Sequence, residues 1–397
     1  MRMLRHDGAS NTHPEMHMAE RRDHLEFLDG LRGLASLWVL VGHAMFLTGY
    51  RIGIVAQPDL AVELFIIISG FLMAWHYQAR ESREPWDDPA TWKTFWTRRF
   101  FRIAPLYYLC LAVALAMGPT LWADRLAAGE ITRTPMSETM LYVDRYLDQS
   151  LTNILMHVSF LFGMTSTHNF RTPLPDWSIG LEMQFYAVFP FLMLFLKRAG
   201  MLVGMAILVG VAAAIGVAVE HMGFVKGAYS ILAMKFHLFA AGMLIAASAR
   251  AEGPMKFMFW LGACAAIFVP LGGGRDMEHR IIKIIMVSGF FGLIYRDSLP
   301  KIGALAIRPL DWIFSNPFSR WIGDLSYGAY LIHLLVLLPV CGLLARQWPE
   351  MTAMPRFWAA LALTIPLTYA LAWLAYRYIE QPGIAVGRRL AGKPAKA

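Results

Sequence analysis

The chain has 397 residues, 57% of them hydrophobic and only 16% charged, with a mean hydropathy of +0.46. Soluble domains run at about 45–50% apolar and about 25% charged, so this composition excludes an ordinary soluble enzyme and indicates a polytopic membrane protein. The formal charge of +8 could suggest nucleic acid as a partner, but its distribution along the chain, set out below, argues against that.

Residues 1–25 are polar and mixed in charge, and they read as a disordered cytoplasmic arm without a cleavable signal peptide. His6, His13, His17 and His24 fall in this arm, but Gly8 and Pro14 mark it as solvated chain rather than a metal site. From residue 26 to 384 apolar runs recur, as expected of one membrane domain. A run of about 17–25 residues spans a bilayer. Ten candidates lie near 31–50, 60–78, 103–119, 177–196, 201–219, 228–248, 256–271, 281–295, 325–345 and 357–376.

With the N-terminus inside, 24 of the 36 Lys and Arg fall in or beside cytoplasmic loops and 11 in external ones. That bias is the positive-inside pattern of a protein with both termini in the cytoplasm. The basic charge is thus an orientation signal. The longest external segment, 119–176, contains an apolar stretch from Leu151 to Met164 that is too short to span and reads as re-entrant or interfacial. Residues 385–397 form a short basic cytoplasmic tail. Cys110, Cys264 and Cys341 sit inside apolar runs without metal spacing, as small core residues do. The expected fold is therefore all-α, about ten membrane helices in one bundle.

Ionisable residues inside spans are costly and point first to function. In the first span, Arg32 and His43 are eleven residues apart, so they share a helical face about 16 Å apart. Asp29 can pair with Arg32 at i, i+3. A buried neutral imidazole can take a proton from a hydroxyl; alternatively it only hydrogen-bonds a neighbouring helix. Arg98, Arg99 and Arg102 stand at the cytoplasmic end of the third span, suited either to phosphate oxygens or to anionic lipid headgroups. Glu182 lies one turn inside the fourth span, behind Trp177 and Ser178, and needs a partner. Glu63, in the second span, suits a capping or packing role better. Ser326, Tyr330 and His333 share a face by i, i+4, i+7 spacing, as interhelical glue or a ligand site. Lys235 and His237 carry no assignment. A secondary transporter would show inverted repeats with broken helices in matching halves, and the sequence shows neither.

These segments together resemble acyltransferase family 3, membrane proteins that modify hydroxyls of polysaccharides and lipid-linked sugars. The resemblance rests on Leu28-Asp-Gly-Leu-Arg-Gly-Leu-Ala followed by His43; Glu63-Leu-Phe with Ser69-Gly-Phe-Leu; Arg98-Arg-Phe-Phe-Arg-Ile-Ala-Pro105; and Trp177-Ser with Glu182 and Gln184-Phe-Tyr. It continues in Leu325-Ser-Tyr with Tyr330-Leu and His333, and in Arg377-Tyr-Ile-Glu-Gln-Pro382. Ile66-Ile67, Gly180 and Met183 depart from the usual pattern. The resemblance implies an acyl-CoA donor, most simply acetyl-CoA, held at Arg98, Arg99 and Arg102 with help from Arg32, and no metal. It further implies His43 as general base or transient acyl carrier with Asp29, Arg32 and Glu182 in the catalytic set. The acceptor would be a glycan hydroxyl near Trp177, Ser178, Glu63, Ser326, Tyr330 and His333. Membrane lipids would be the surroundings, with no nucleic acid, and a bacterial inner membrane the location. The rival reading is a transporter or flippase of a small or lipid-linked glycan.

Overall fold

The computed structural model describes residues 25–132, 143–222, 230–269, 271 and 276–392. The arm at 1–24, with its four histidines, lies outside them. All regular structure among the described residues is helical. The helices are α1 (Phe27–Thr48), α2 (Pro58–Gln78), α3 (Pro89–Thr132), α4 (Asp144–Leu147), α5 (Leu151–Val158), α6 (Trp177–Ala199), α7 (Met201–His221) and α8 (Leu232–Ser248). After these come α9 (Met255–Ile267), α10 (Met277–Ile294), α11 (Lys301–Ser315), α12 (Pro317–Asp324), α13 (Ser326–Gln347) and α14 (Ala353–Ala375). A π-helical turn (Tyr376–Glu380) then leads into α15 (Gln381–Leu390).

Each of the ten apolar runs coincides with a helix. Among the described residues, seven helical stretches are long and apolar enough to cross a membrane: α1, α2, α3, α6, α7, α13 and the run from α14 through α15. α8 and α9 are apolar but shorter, and α10 carries Glu278, Arg280 and Lys283 within its 18 residues. The protein is an all-α membrane protein.

Burial sorts these helices by depth in the bundle. α8 is buried at every residue from Met234 to Ser248, as befits a helix apolar on all sides. It meets α2 almost backbone to backbone: a Cβ on Gly242 would lie 1.9 Å from the Ile67 carbonyl oxygen, and one on Gly70 2.2 Å from that of Phe239. α7 is the opposite case. Val203, Ile207, Val211 and Ile215 form an i, i+4 ridge about half exposed, a face that only lipid would cover.

Two features were not anticipated. α3 runs unbroken for 44 residues through Pro105 and Pro119, about 66 Å, and so far exceeds the 103–119 span. The segment after 384 continues as helix to Leu390 and packs on α3, with Gly387 over Phe101 and the Thr94 hydroxyl donating to the Ala391 carbonyl at 3.3 Å. Only residues 393–397 of the expected tail lie outside the described residues.

Residues 143–176 fold against the bundle. Leu151, Leu155 and Val158 of α5 are exposed on one side, whereas Asn153 and His157 are fully buried on the other. The Tyr108 hydroxyl donates to the Val158 carbonyl at 2.7 Å, and that of Tyr330 to the Pro175 carbonyl at 2.6 Å. Both tyrosines sit well inside their helices, so residues 151–176 dip into the bundle rather than cap it.

Candidate active site

The site is assembled around α1. Its first turns lie hard against the α11–α12 corner: a Cβ on Gly30 would fall 1.8 Å from the Phe314 carbonyl oxygen, and one on Gly33 2.6 Å from the Gly323 nitrogen. These contacts explain the glycines of the Asp-Gly-Leu-Arg-Gly motif as close approach to a neighbouring backbone. Arg32, two residues from one glycine and one from the other, points elsewhere. Asp29 stands 3.7 Å from its guanidinium, and the Arg32 side chain lines a cavity of about 120 Å³ walled by residues of α1, α2, α3, α6, α8 and α13.

Arg99 and Arg102 from α3 line the same cavity. Arg98 does not. Its guanidinium grips both oxygens of the Glu84 carboxylate at 2.7 and 2.9 Å, so the expected trio of Arg98, Arg99 and Arg102 is replaced in the cavity by Arg32, Arg99 and Arg102. Arg99 is held between the rings of Tyr77 and Tyr186, each 5.5 Å away. Arg102 and Arg32 lie within electrostatic range of each other and of Glu380, a buried carboxylate carried by the π-helical turn.

Glu182 lies on the cavity wall and has the partners its depth requires. It accepts a hydrogen bond from the Ser69 hydroxyl at 3.0 Å and a very short one from the Tyr186 hydroxyl. The carboxylate thereby ties together the Ser-Gly-Phe-Leu and Trp-Ser motifs, which are over a hundred residues apart. His43 is not among these partners. Ser326, Tyr327, Ser178 and Tyr330 complete the polar wall. Because Tyr330 gives its only proton to Pro175, the Ser178 hydroxyl donates to Tyr330 across 2.7 Å. The buried Ser326 hydroxyl has no protein partner, which leaves it available to a ligand. Trp177 packs against the core beside the cavity.

His43 meets His333 one turn beyond Tyr330. Nε2 of His333 is 3.1 Å from Nδ1 of His43, with the rings 5.1 Å apart. His333 is completely buried, whereas His43 is partly exposed. Beside them lies a network built on residues 143–176. The buried Asp176 carboxylate accepts from Tyr107 at 3.1 Å and Thr172 at 2.8 Å, with His157 3.7 Å away. His157 and Thr172 carried no sequence signal, because the irregular stretch between α5 and α6 has no periodicity that would bring either to Asp176.

Glu63 is turned away from the cavity. It faces the Lys235 ammonium at 2.5 Å and that of Lys283 at 3.2 Å, linking α2, α8 and α10 in a buried cluster. A place among the acceptor-binding residues is therefore not where the fold puts it. Lys235, unassigned from sequence, gains its partner here. His237 lies within range of the same three charges. Of the departures from the family pattern, Ile66 lines the cavity, and Gly180 admits the 160–164 turn, where a Cβ would come 3.0 Å from the Phe162 ring.

The acyltransferase domain profile of acyltransferase family 3 matches residues 25–376, which include every residue lining the cavity. The chain belongs to that family. It is similar to the peptidoglycan O-acetyltransferase OatA of Listeria monocytogenes, 25% identical over 91% of this chain and 56% of that protein. It also resembles the putative membrane-bound transacylase BcsY of Komagataeibacter xylinus, 27% identical over 92% of this chain and 83% of the relative. A third is the acyltransferase MdmB of Streptomyces mycarofaciens, 28% identical over 44% of this chain and 40% of the other. The chain thus spans about half the length of the Listeria protein. No solved structure matches it.

Proposed function

We propose that this protein is an O-acyltransferase that moves an acyl group, most simply acetyl, from cytosolic acyl-CoA to a hydroxyl of a glycan beyond the membrane. The observation that carries the proposal is the cavity walled by three arginines, Arg32, Arg99 and Arg102, that extends to Ser178 and Tyr330, one turn before the His333 that meets His43. Guanidinium groups match phosphate oxygens, and the nucleotide end of coenzyme A presents phosphates. The cavity beyond them suits the pantetheine arm. The positive-inside bias supports a cytoplasmic side for the arginines, and the bacterial relatives support a bacterial cytoplasmic membrane.

On this reading the thioester reaches the neighbourhood of His43 along the cavity, while the acceptor hydroxyl arrives past residues 143–176. His43 then either deprotonates the hydroxyl or carries the acyl group for one step. Arg32 and Asp29 hold the donor end, Ser326 offers a free hydroxyl to the bound arm, and Glu182 keeps α2 and α6 in place around it. The Listeria relative is named for O-acetylation of peptidoglycan, which makes a surface polysaccharide the acceptor class of choice.

Mass spectrometry of surface glycans from cells expressing the native protein, His43→Ala or Arg102→Ala tests this. An O-acyl mass gained with the native protein and lost in both variants at matched membrane levels is the expected result. Retention in His43→Ala removes His43 from the chemistry. Retention in Arg102→Ala removes the arginine cavity as the donor site. No acyl mass with the native protein, across hosts of differing glycans, favours transport of a glycan instead.

A further inference from the structure

We infer that His333 is a positioning residue that holds the acceptor's proton, so that His43 and His333 work as a two-imidazole relay; this rests on the acyl-transfer reading. The argument begins with the tautomers. Nδ1 of His333 is 2.6 Å from the Tyr330 carbonyl oxygen, which can only accept. Nδ1 of His333 therefore carries hydrogen, and in the neutral ring Nε2 is a bare acceptor. That acceptor faces Nδ1 of His43 at 3.1 Å, and the Val39 carbonyl oxygen faces the same atom at 2.9 Å. Both neighbours demand hydrogen on Nδ1 of His43. Its Nε2 is left as a bare lone pair, and His43 is the ring of the two with exposed surface. A base is thus aimed outward by a chain of two hydrogen bonds that begins at a main-chain carbonyl.

The charged group facing His43 from the packed elements is Arg145 of α4, itself buried, with its guanidinium over Phe170 and 3.5 Å from the Leu174 carbonyl oxygen. A proton held on His43 would meet that cation. On His333 it would instead sit beside the carbonyls of Tyr330 and Ala329. The relay uses this difference. The acceptor O–H gives its proton to Nε2 of His43 as its oxygen forms the new bond to the acyl carbon. The Nδ1 hydrogen of His43 passes in the same motion to Nε2 of His333. The C–S bond then breaks, and the two transfers run backwards to place a proton on the leaving thiolate, so every proton is accounted for.

The test uses the full chain in nanodiscs, with acetyl-CoA as donor and water as acceptor, followed by release of the CoA thiol in mixtures of H2O and D2O. The native rate should depend on the deuterium fraction along a curve, as two protons in flight require. His333→Gln can still accept a hydrogen bond from His43 through its amide oxygen but cannot take a proton. It should lower kcat by about 10- to 100-fold, leave KM for acetyl-CoA and the melting temperature unchanged, and give a straight line. His333→Leu should lose more. A curved dependence with native kcat in His333→Gln overturns the relay, as does a loss matched by a fall in melting temperature or a rise in KM. The underlying reading fails separately: no thiol release by the native protein, or native release by His43→Ala, sinks both.

Discussion

Two buried charge clusters occupy this bundle, and they have opposite characters. Lys235 and Lys283 each stand within 3.2 Å of the Glu63 carboxylate, and none of the three lines the arginine cavity. Arg32, Arg99 and Arg102 share a cavity, and their carboxylate neighbours Glu182 and Glu380 leave open space among them. In the sequence both appear as ionisable residues in apolar runs. The difference teaches that charge in a span marks a functional site only where the fold also leaves room for a ligand. Where oppositely charged groups close on each other, the same residue types act as a fastening between helices.

Substitutions can break or sharpen that contrast. The largest effect is expected at the chemistry beyond the arginine cavity: His43→Ala should lower the acyl-transfer rate by about 10²- to 10⁴-fold with normal membrane levels, read as O-acyl mass per copy of protein. Next comes the closed cluster. Glu63→Gln leaves two buried lysines without their carboxylate and should destabilise the protein by about 3–5 kcal/mol, measured by denaturant unfolding in nanodiscs. Acyl-CoA affinity of the remaining folded protein should not change. Replacing Glu63, Lys235 and Lys283 together by Leu and Met should recover much of that stability, which a ligand site would not do for activity. Arg102→Ala should raise KM for acyl-CoA with little loss of stability, by about 1.5–3 kcal/mol of binding for a charge-assisted contact, seen in thiol-release kinetics. Arg98→Ala is the sharpest comparison and the smallest effect on turnover. It leaves the buried Glu84 carboxylate without its partner, which predicts a stability loss of about 1–3 kcal/mol and an unaltered KM.

What the sequence disclosed follows from the range over which each signal acts. Hydropathy is local, so the apolar runs and their helices correspond, and the i, i+3 relation of Asp29 to Arg32 is realised at 3.7 Å. Spacing within α1 could place Arg32 and His43 on one helix, but not supply the partner of His43, which is 290 residues away. The same limit hid the lysines of Glu63 and sent Arg98 to Glu84, a loop residue whose position depends on the fold of residues 79–88. The length of α3 was masked by its two prolines and by the polar residues after Pro119, which look like a break and a loop. α11 and α12 were missed because each is too short to span, although they set the direction of Arg32 through Gly30 and Gly33.

The π-helical turn at Tyr376–Glu380 has a consequence for the closing motif Arg377-Tyr-Ile-Glu-Gln-Pro382. A π turn amounts to one residue wound into a helix beyond its normal count, and each residue of an α-helix turns the chain by about 100°. Everything after the turn is therefore shifted in phase: Glu380 faces inward near Arg102, and Gly383 and Gly387 face α3. The motif works as a phase marker as much as a set of side chains. A one-residue deletion within it, even of the exposed Tyr378, would rotate the end of the protein away from α3 by more than a quarter of a turn, and a compensating insertion just downstream would bring it back.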